Sequence, residues 1–239
     1  ATAEIFADMG EPSPMLRLLQ GDVGSGKTLL AALAMARAAE AGLQSALMAP
    51  TDLLARQHGA TIIPLLEAAG VSVAVLTGRD KGAARKALMA RMANGELTVV
   101  IGTHALFQDD VAFKDLGLIV IDEQHRFGVS DRMRMVAKGF APHVLVMSAT
   151  PIPRTLALSL HGDMDLSVLD EKPPGRMPIT TAAMPISRME EVVTAIVEAA
   201  DRGERAYWVC PLIEESEAVD LAAVQDRYEA LKERFGNGV

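Results

Sequence analysis

Two short segments of the 239-residue chain carry the residue types that phosphate chemistry requires. The first, Gly21-Asp22-Val23-Gly24-Ser25-Gly26-Lys27-Thr28, fits the pattern G-x-x-x-x-G-K-[ST] in full. It follows the apolar run Met15 to Leu19 and opens the alanine-rich stretch Leu29 to Ala41, the strand–loop–helix setting of a phosphate-binding loop. The glycines let successive backbone N–H groups line a concave anion site at a helix N-terminus, where the dipole is positive. Lys27 supplies a mobile point charge for the outer phosphates, and the Thr28 hydroxyl can ligate Mg²⁺. The second segment, Ile119 to His125, ends a strand-like run in the adjacent carboxylates Asp122 and Glu123. One of the pair can hold Mg²⁺ and the other can orient an attacking water. Alone, the glycine-rich loop also fits a turn that merely starts a helix. With the acidic strand end downstream, the pair predicts a nucleoside triphosphate site with hydrolysis.

Those residues need a sheet to hold them. Apolar runs alternate with helix-period segments, the pattern of a parallel sheet built from βαβ units. The pattern predicts strands at about 15–20, 45–49, 71–76, 97–101, 117–121 and 143–148, and helices at about 27–41, 52–69, 81–93, 129–138 and 153–161. Thr51 or Asp52 can cap the second helix, and Asn94-Gly95 can end the third. Gly117 to Ile121 is nearly all apolar, as expected of a central strand covered on both faces. The stretch 170–176, Asp-Glu-Lys-Pro-Pro-Gly-Arg, reads as a stiff break. Beyond it come strand-like Ile179 to Ala183, a helix from about Ser187 to Arg202, strand-like Ala206 to Cys210 and an acidic helix from about Ser216 to Phe235. Three parts are therefore expected: a nucleotide-binding domain over 1–169, a linker over 170–178, and the opening of a second α/β lobe over 179–239. So short a remnant is marginal as an independent core.

Half the residues are apolar and only 4% are aromatic, so aliphatic side chains must fill the core. One cysteine, Cys210, excludes a disulfide within the chain and a thiolate metal site, and fits a reducing compartment. No apolar stretch approaches the ~20 residues of a membrane span. The N-terminus has no initiator Met and no signal-like pattern, which predicts a piece of a longer protein. The formal charge of −8 is uneven: residues 1–185 carry 17 basic and 19 acidic side chains, residues 186–239 carry 6 and 12. Basic stretches at Arg79, Lys81, Arg85, Lys86 and Arg91, and at Arg126, Arg132, Arg134 and Lys138, can meet phosphates or simply be solvated faces. Strong independent DNA binding is not what this charge predicts.

Between the two phosphate segments lie Ala49 to His58, Leu76 to Arg79 and Ile101 to Phe107, each at the C-terminal end of an expected strand, where ligands collect in open parallel sheets. Thr51, Thr103 and nearby amides can hold a phosphodiester backbone without reading bases, or the same threonines can cap helices. His58, His104, His143 and His161 show no metal-ligand spacing. Met147 to Thr155 follows, and there the ordered set GDVGSGKT, PTDLLARQ, GTHAL, DEQHRFGV and SATPIPRT resembles the first motor domain of superfamily-2 helicases. DEQHRFGV and ATPIPRT resemble the bacterial DNA translocases, most closely the RecG family. In the neighbouring transcription-repair coupling factors the strand end usually reads DEEH, whereas Gln124 stands here.

That resemblance implies a RecA-like P-loop domain with a mostly parallel sheet flanked by helices, followed by the truncated start of a second RecA-like lobe. It implies ATP and Mg²⁺ as cofactors, with Gly21 to Thr28 on the phosphates, Thr28 and Asp122 on the metal, and Glu123 orienting water. Gln124, His125 and Ser148-Ala149-Thr150 resemble elements that couple the nucleotide site to DNA, and Thr51, Thr103 and Arg154 resemble DNA-facing positions. The implied partner is branched or forked DNA, without a membrane, for a monomeric protein of the bacterial cytoplasm. The family's N-terminal wedge domain, adenine-recognising glutamine motif and second-lobe arginines have no match in these residues. Full hydrolysis is thus expected of a longer parent, and a non-catalytic nucleotide-binding module is the alternative for the piece.

Overall fold

Short apolar runs with no polar alternation form strands that are covered on both faces, and this chain has five of them side by side between Leu16 and Ser148. A computed structural model of the chain describes residues 1–122, 134–150, 164–171 and 179–209. It divides into two units, Ala1–Arg176 and Met177–Val239.

In the first unit the strands are β1 (Leu16–Gly21), β2 (Gln44–Met48), β3 (Val73–Leu76), β4 (Val99–Gly102), β5 (Leu116–Asp122), β6 (His143–Ser148) and β7 (Asp165–Leu169). They form one sheet in the order β3-β4-β2-β5-β6-β1-β7, with every pairing parallel. The helices are α1 (Thr2–Asp8), α2 (Lys27–Glu40), α3 (Asp52–Ala68) and α4 (Gly82–Ala93). Successive strand residues point to opposite faces, and two cores result. Leu19, Leu47, Val99, Leu118, Val120, Leu145 and Met147 face α1, α2 and α3. Leu18, Ala46, Met48, Val100, Ile119, Ile121, Val144 and Val146 face α4, the turn at 104–107 and Met135. In α2 the buried positions are Ala31, Ala32, Ala34, Met35 and Ala38, and such small side chains let the helix lie close to the sheet.

The six expected strands and the helices at 27–41, 52–69 and 81–93 all form, within two residues at each end. Of the helix expected at 129–138, residues 134–136 are helical and 129–133 lie outside the described residues, as does the helix expected at 153–161. Among the described residues of the first unit, α1, β7 and the 3₁₀ turn at 104–107 were not anticipated. β7 has only one fully buried residue, so it lacks the continuous apolar signal of the central strands. The seven-residue α1 is too short to show a helical period. Arg17 ties α1 and β7 to β1: its Nε donates to Asp8 of α1 at 2.6 Å and its Nη1 donates to Ser167 of β7 at 2.9 Å.

In the second unit, α5 (Met189–Asp201) follows a 3₁₀ turn at Ile186–Arg188, close to the expected helix. The strands expected at 179–183 and 206–210 are a correction: residues 179–183 and 206–209 are not in strands. A strand requires a hydrogen-bonded neighbour, and none pairs with these residues among those described. Ile179, Tyr207 and Val209 are accordingly exposed. Cys210, the helix expected at 216–235 and most of the expected linker lie outside the described residues.

Candidate nucleotide site

β1 delivers Gly21 to the C-terminal edge of the sheet, in register with Leu169 of β7. A Cβ on Gly21 would stand 2.5 Å from Ser25 Oγ and 2.8 Å from Leu169 Cβ, so no other residue fits there. Gly24 (φ 81°) and Gly26 (φ 98°) take left-handed conformations that bend the loop back onto α2. The first amide bonds of α2 run from Leu29 and Leu30 to the Gly26 carbonyl. The ladder of α2 thus begins at the Gly26 carbonyl, and the positive end of the helix dipole faces the loop. Lys27 Nζ reaches back across the mouth, donating to the carbonyls of Gly21 (2.7 Å) and Asp22 (2.9 Å). Inside the loop, Asp22 Oδ1 accepts the Val23 N–H at 2.7 Å and the Asp22 carbonyl accepts the Ser25 N–H at 3.1 Å. Ser25 Oγ is buried without a hydrogen-bond partner. This is a cradle shaped for an oxyanion, with a cation poised over it.

Asp122 ends β5 two strands away, because β6 lies between β5 and β1. The register sets Met147 of β6 level with both Leu19 and Asp122, so about 10 Å of sheet separates Asp122 from β1. The Asp122 residue is 8% exposed, and its side chain lies on the α3 face. There His58 Nε2 stands 2.7 Å from Asp122 Oδ2. In the sequence His58 shows no metal-ligand spacing and nothing that pairs it with Asp122. Helical periodicity could have found it, since Ala55, Gly59, Ile62 and Leu66 are the buried stripe of α3 and His58 lies along it.

Thr28 and Asp122 offer hard oxygen donors. Among the described residues no group of three or more His, Cys, Asp and Glu could cage an ion. That donor set fits Mg²⁺, which takes one or two carboxylates with phosphate and water oxygens in place of an all-protein cage.

Ser148 ends β6 between the loop strand and the Asp122 strand. Its Oγ lies 2.9 Å from Thr150 Oγ1 and accepts the Thr150 N–H at 3.2 Å, folding Ser148-Ala149-Thr150 into a tight polar turn. Thr51 is exposed and caps α3, its Oγ1 accepting the Leu54 N–H at 3.3 Å. Thr103 is 1% exposed and its hydroxyl has no hydrogen-bond partner. Nearby, Asp80 Oδ2 accepts the Thr77 N–H at 2.7 Å. Arg79 Nε lies 3.1 Å from Asp52 Oδ2 as an ion pair without hydrogen-bond alignment. Glu123, Gln124, His125 and Arg154 lie outside the described residues.

A family profile described as DEAD/DEAH box helicase matches residues 5–158. The chain is similar to the ATP-dependent DNA helicase RecG of Escherichia coli (strain K12), at 50% identity over 235 residues, covering 96% of this chain and 34% of that protein. RecG of Bacillus subtilis (strain 168) is 49% identical over 232 residues, covering 97% and 34%. The chain therefore spans about a third of the length of the curated relatives it matches. Among solved structures, RecG bound to a three-way DNA junction superposes with a TM-score of 0.79 at 42% identity, covering 97% of this chain and 30% of that one. The DUF1998 helicase MrfA shares the fold, with a TM-score of 0.60 at 20% identity, covering 99% and 39%.

Proposed function

The chain belongs to the DEAD/DEAH box helicase family, and from that premise we propose that it is the ATP-binding motor portion of a RecG-type DNA helicase. The observation that carries this reading is the loop itself. Gly21 admits no side chain, Gly24 and Gly26 turn left-handed, and Lys27 spans the mouth. Such a loop holds the phosphates of ATP by backbone amides and one mobile cation.

Gly21 to Thr28 take the phosphates, Lys27 the outermost charge, and Thr28 with Asp122 would hold Mg²⁺. The chemistry Mg²⁺ would supply there is neutralisation of the charge that develops on the outer phosphates. Glu123 is assigned to orient the attacking water. Gln124, His125 and the Ser148-Ala149-Thr150 turn link the nucleotide to DNA, and Ser148 stands on the strand between the two halves of the site. Thr51 and Arg154 are assigned to the DNA backbone; Thr103, expected there from the sequence, is 1% exposed and is not placed against DNA. Branched DNA is the partner, a reading supported by the similar chain bound to a three-way junction.

Residues 1–169 form the first motor domain on this reading, and 179–239 open the second; the unit boundary at Arg176 and Met177 supports that division. A monomer in the bacterial cytoplasm completes the proposal. Among the described residues no helix is long and apolar enough to cross a membrane, and the lone cysteine suits a reducing compartment.

In the full-length protein, Lys27→Ala and Glu123→Gln are each expected to abolish ATP hydrolysis stimulated by forked DNA, measured by phosphate release. Stimulated turnover at the wild-type rate in either variant would sink the assignment.

A further inference from the structure

A polar ring on the sheet-facing side of a helix loses its hydration and is retained at little cost only when it finds a partner. His58 meets that condition across 64 residues of sequence, at 2.7 Å from Asp122 Oδ2, with both side chains 12% exposed. An ionised carboxylate only accepts hydrogen bonds, so Nε2 must carry the hydrogen. α3 is held down at this turn. A Cβ on the adjacent Gly59 would stand 2.8 Å from Val75 Cγ2, so helix and sheet meet here as closely as a glycine permits.

The terminal torsion of an aspartate is broad and nearly two-fold. Left alone, the carboxylate of Asp122 would rotate about it and present either oxygen in many orientations. The His58 bond fixes the plane and commits Oδ2 to α3. We propose that His58 is a positioning residue for Asp122, reserving Oδ1 for the nucleotide-bound divalent cation. This rests on the assignment of Asp122 to Mg²⁺ made above. It also ties the cation site to the helix whose N-cap is Thr51, two turns away on the same rigid element.

The test is a Mg²⁺ titration of the full-length protein with a fluorescent ADP analogue, with EDTA as the metal-free arm. His58→Ala is expected to raise the Mg²⁺ needed for half-maximal enhancement of affinity by about 10- to 100-fold, the usual effect of losing a partner that orients a metal ligand. Affinity in EDTA should not change, and His58→Gln, which keeps an N–H donor at similar reach, should restore the wild-type Mg²⁺ requirement. If the alanine variant does not fold, His58→Phe keeps the ring volume without the donor, and the same results are expected of it. A wild-type Mg²⁺ requirement in the donor-less variant, beside a raised one in Asp122→Asn, overturns the positioning role and leaves the nucleotide site intact. No change in Asp122→Asn either means that the nucleotide-site reading itself has failed. Equal losses in the alanine and glutamine variants that persist in EDTA mark a merely structural histidine and overturn the proposal.

Discussion

At the scale of single residues, the site divides into what eight contiguous positions dictate and what only the folded chain brings together. The phosphate loop was legible because its geometry is local. Glycines at 21, 24 and 26 are required by a close contact and two left-handed turns, and Lys27 reaches its carbonyls within six residues. The His58–Asp122 bond was not legible from spacing, because its partners lie on different elements, 64 residues apart, and meet only in the fold. His143, also set aside for lack of ligand spacing, has a structural task. Its Nδ1 accepts the Met15 N–H at 2.9 Å at the foot of β1. Burial pushes its pKa below the usual 6.5, against a smaller upward pull from Asp8. Well above 6.5 the ring is neutral in both folded and unfolded chains and contributes no pH dependence. As the pH falls through 6.5, the unfolded chain takes up a proton that the folded one resists, and stability is lost. The urea midpoint is therefore expected to fall between about pH 7.5 and about pH 5.5, and to fall less in His143→Gln, whose side-chain carbonyl can take the same N–H. An acid slope unchanged by the substitution would remove His143 from this account.

At the scale of elements, α3 carries two tasks that one substitution series can separate. Thr51 caps the helix, with its Oγ1 on the Leu54 N–H, and is exposed at the sheet edge assigned to DNA. Thr51→Ala should cost about 1 kcal/mol of stability, the usual loss of an N-cap. Thr51→Asp keeps a capping oxygen and adds a negative charge. It should leave the denaturant midpoint near wild type while weakening binding to a forked oligonucleotide, measured by fluorescence anisotropy. Wild-type DNA affinity in Thr51→Asp would assign Thr51 to capping alone. Elements were readable from sequence where burial is two-sided and long, as in β5, all seven of whose residues are buried. They were misread where a stretch is apolar but has no neighbour among the described residues, as at 206–209, and missed where an edge strand such as β7 alternates. A strand is a property of a pair, so apolar composition alone does not make one.

At the scale of the whole molecule, the sheet order places the first strand between the last two. β1 pairs with β6 and β7, whereas β2, β3, β4 and β5 find one another within residues 44–122. This has a consequence in time. At about 5–20 residues per second of synthesis, roughly 6 to 24 s pass between the making of β1 and the arrival of the strand that seats it. During that interval four strands can already pair, while the Gly21–Thr28 loop hangs from a strand with no neighbour. Ribosome-stalled chains ending before His143 should therefore fail to take up a photoreactive ATP analogue, and labelling should begin only in chains long enough to expose β6 and β7. Labelling of the shorter chains would show that the loop forms without its flanking strands. The proposed grip on the triphosphate is thus written near the start of the chain and is expected to become usable only near the end of the unit, so that an unfinished unit should have no hold on ATP.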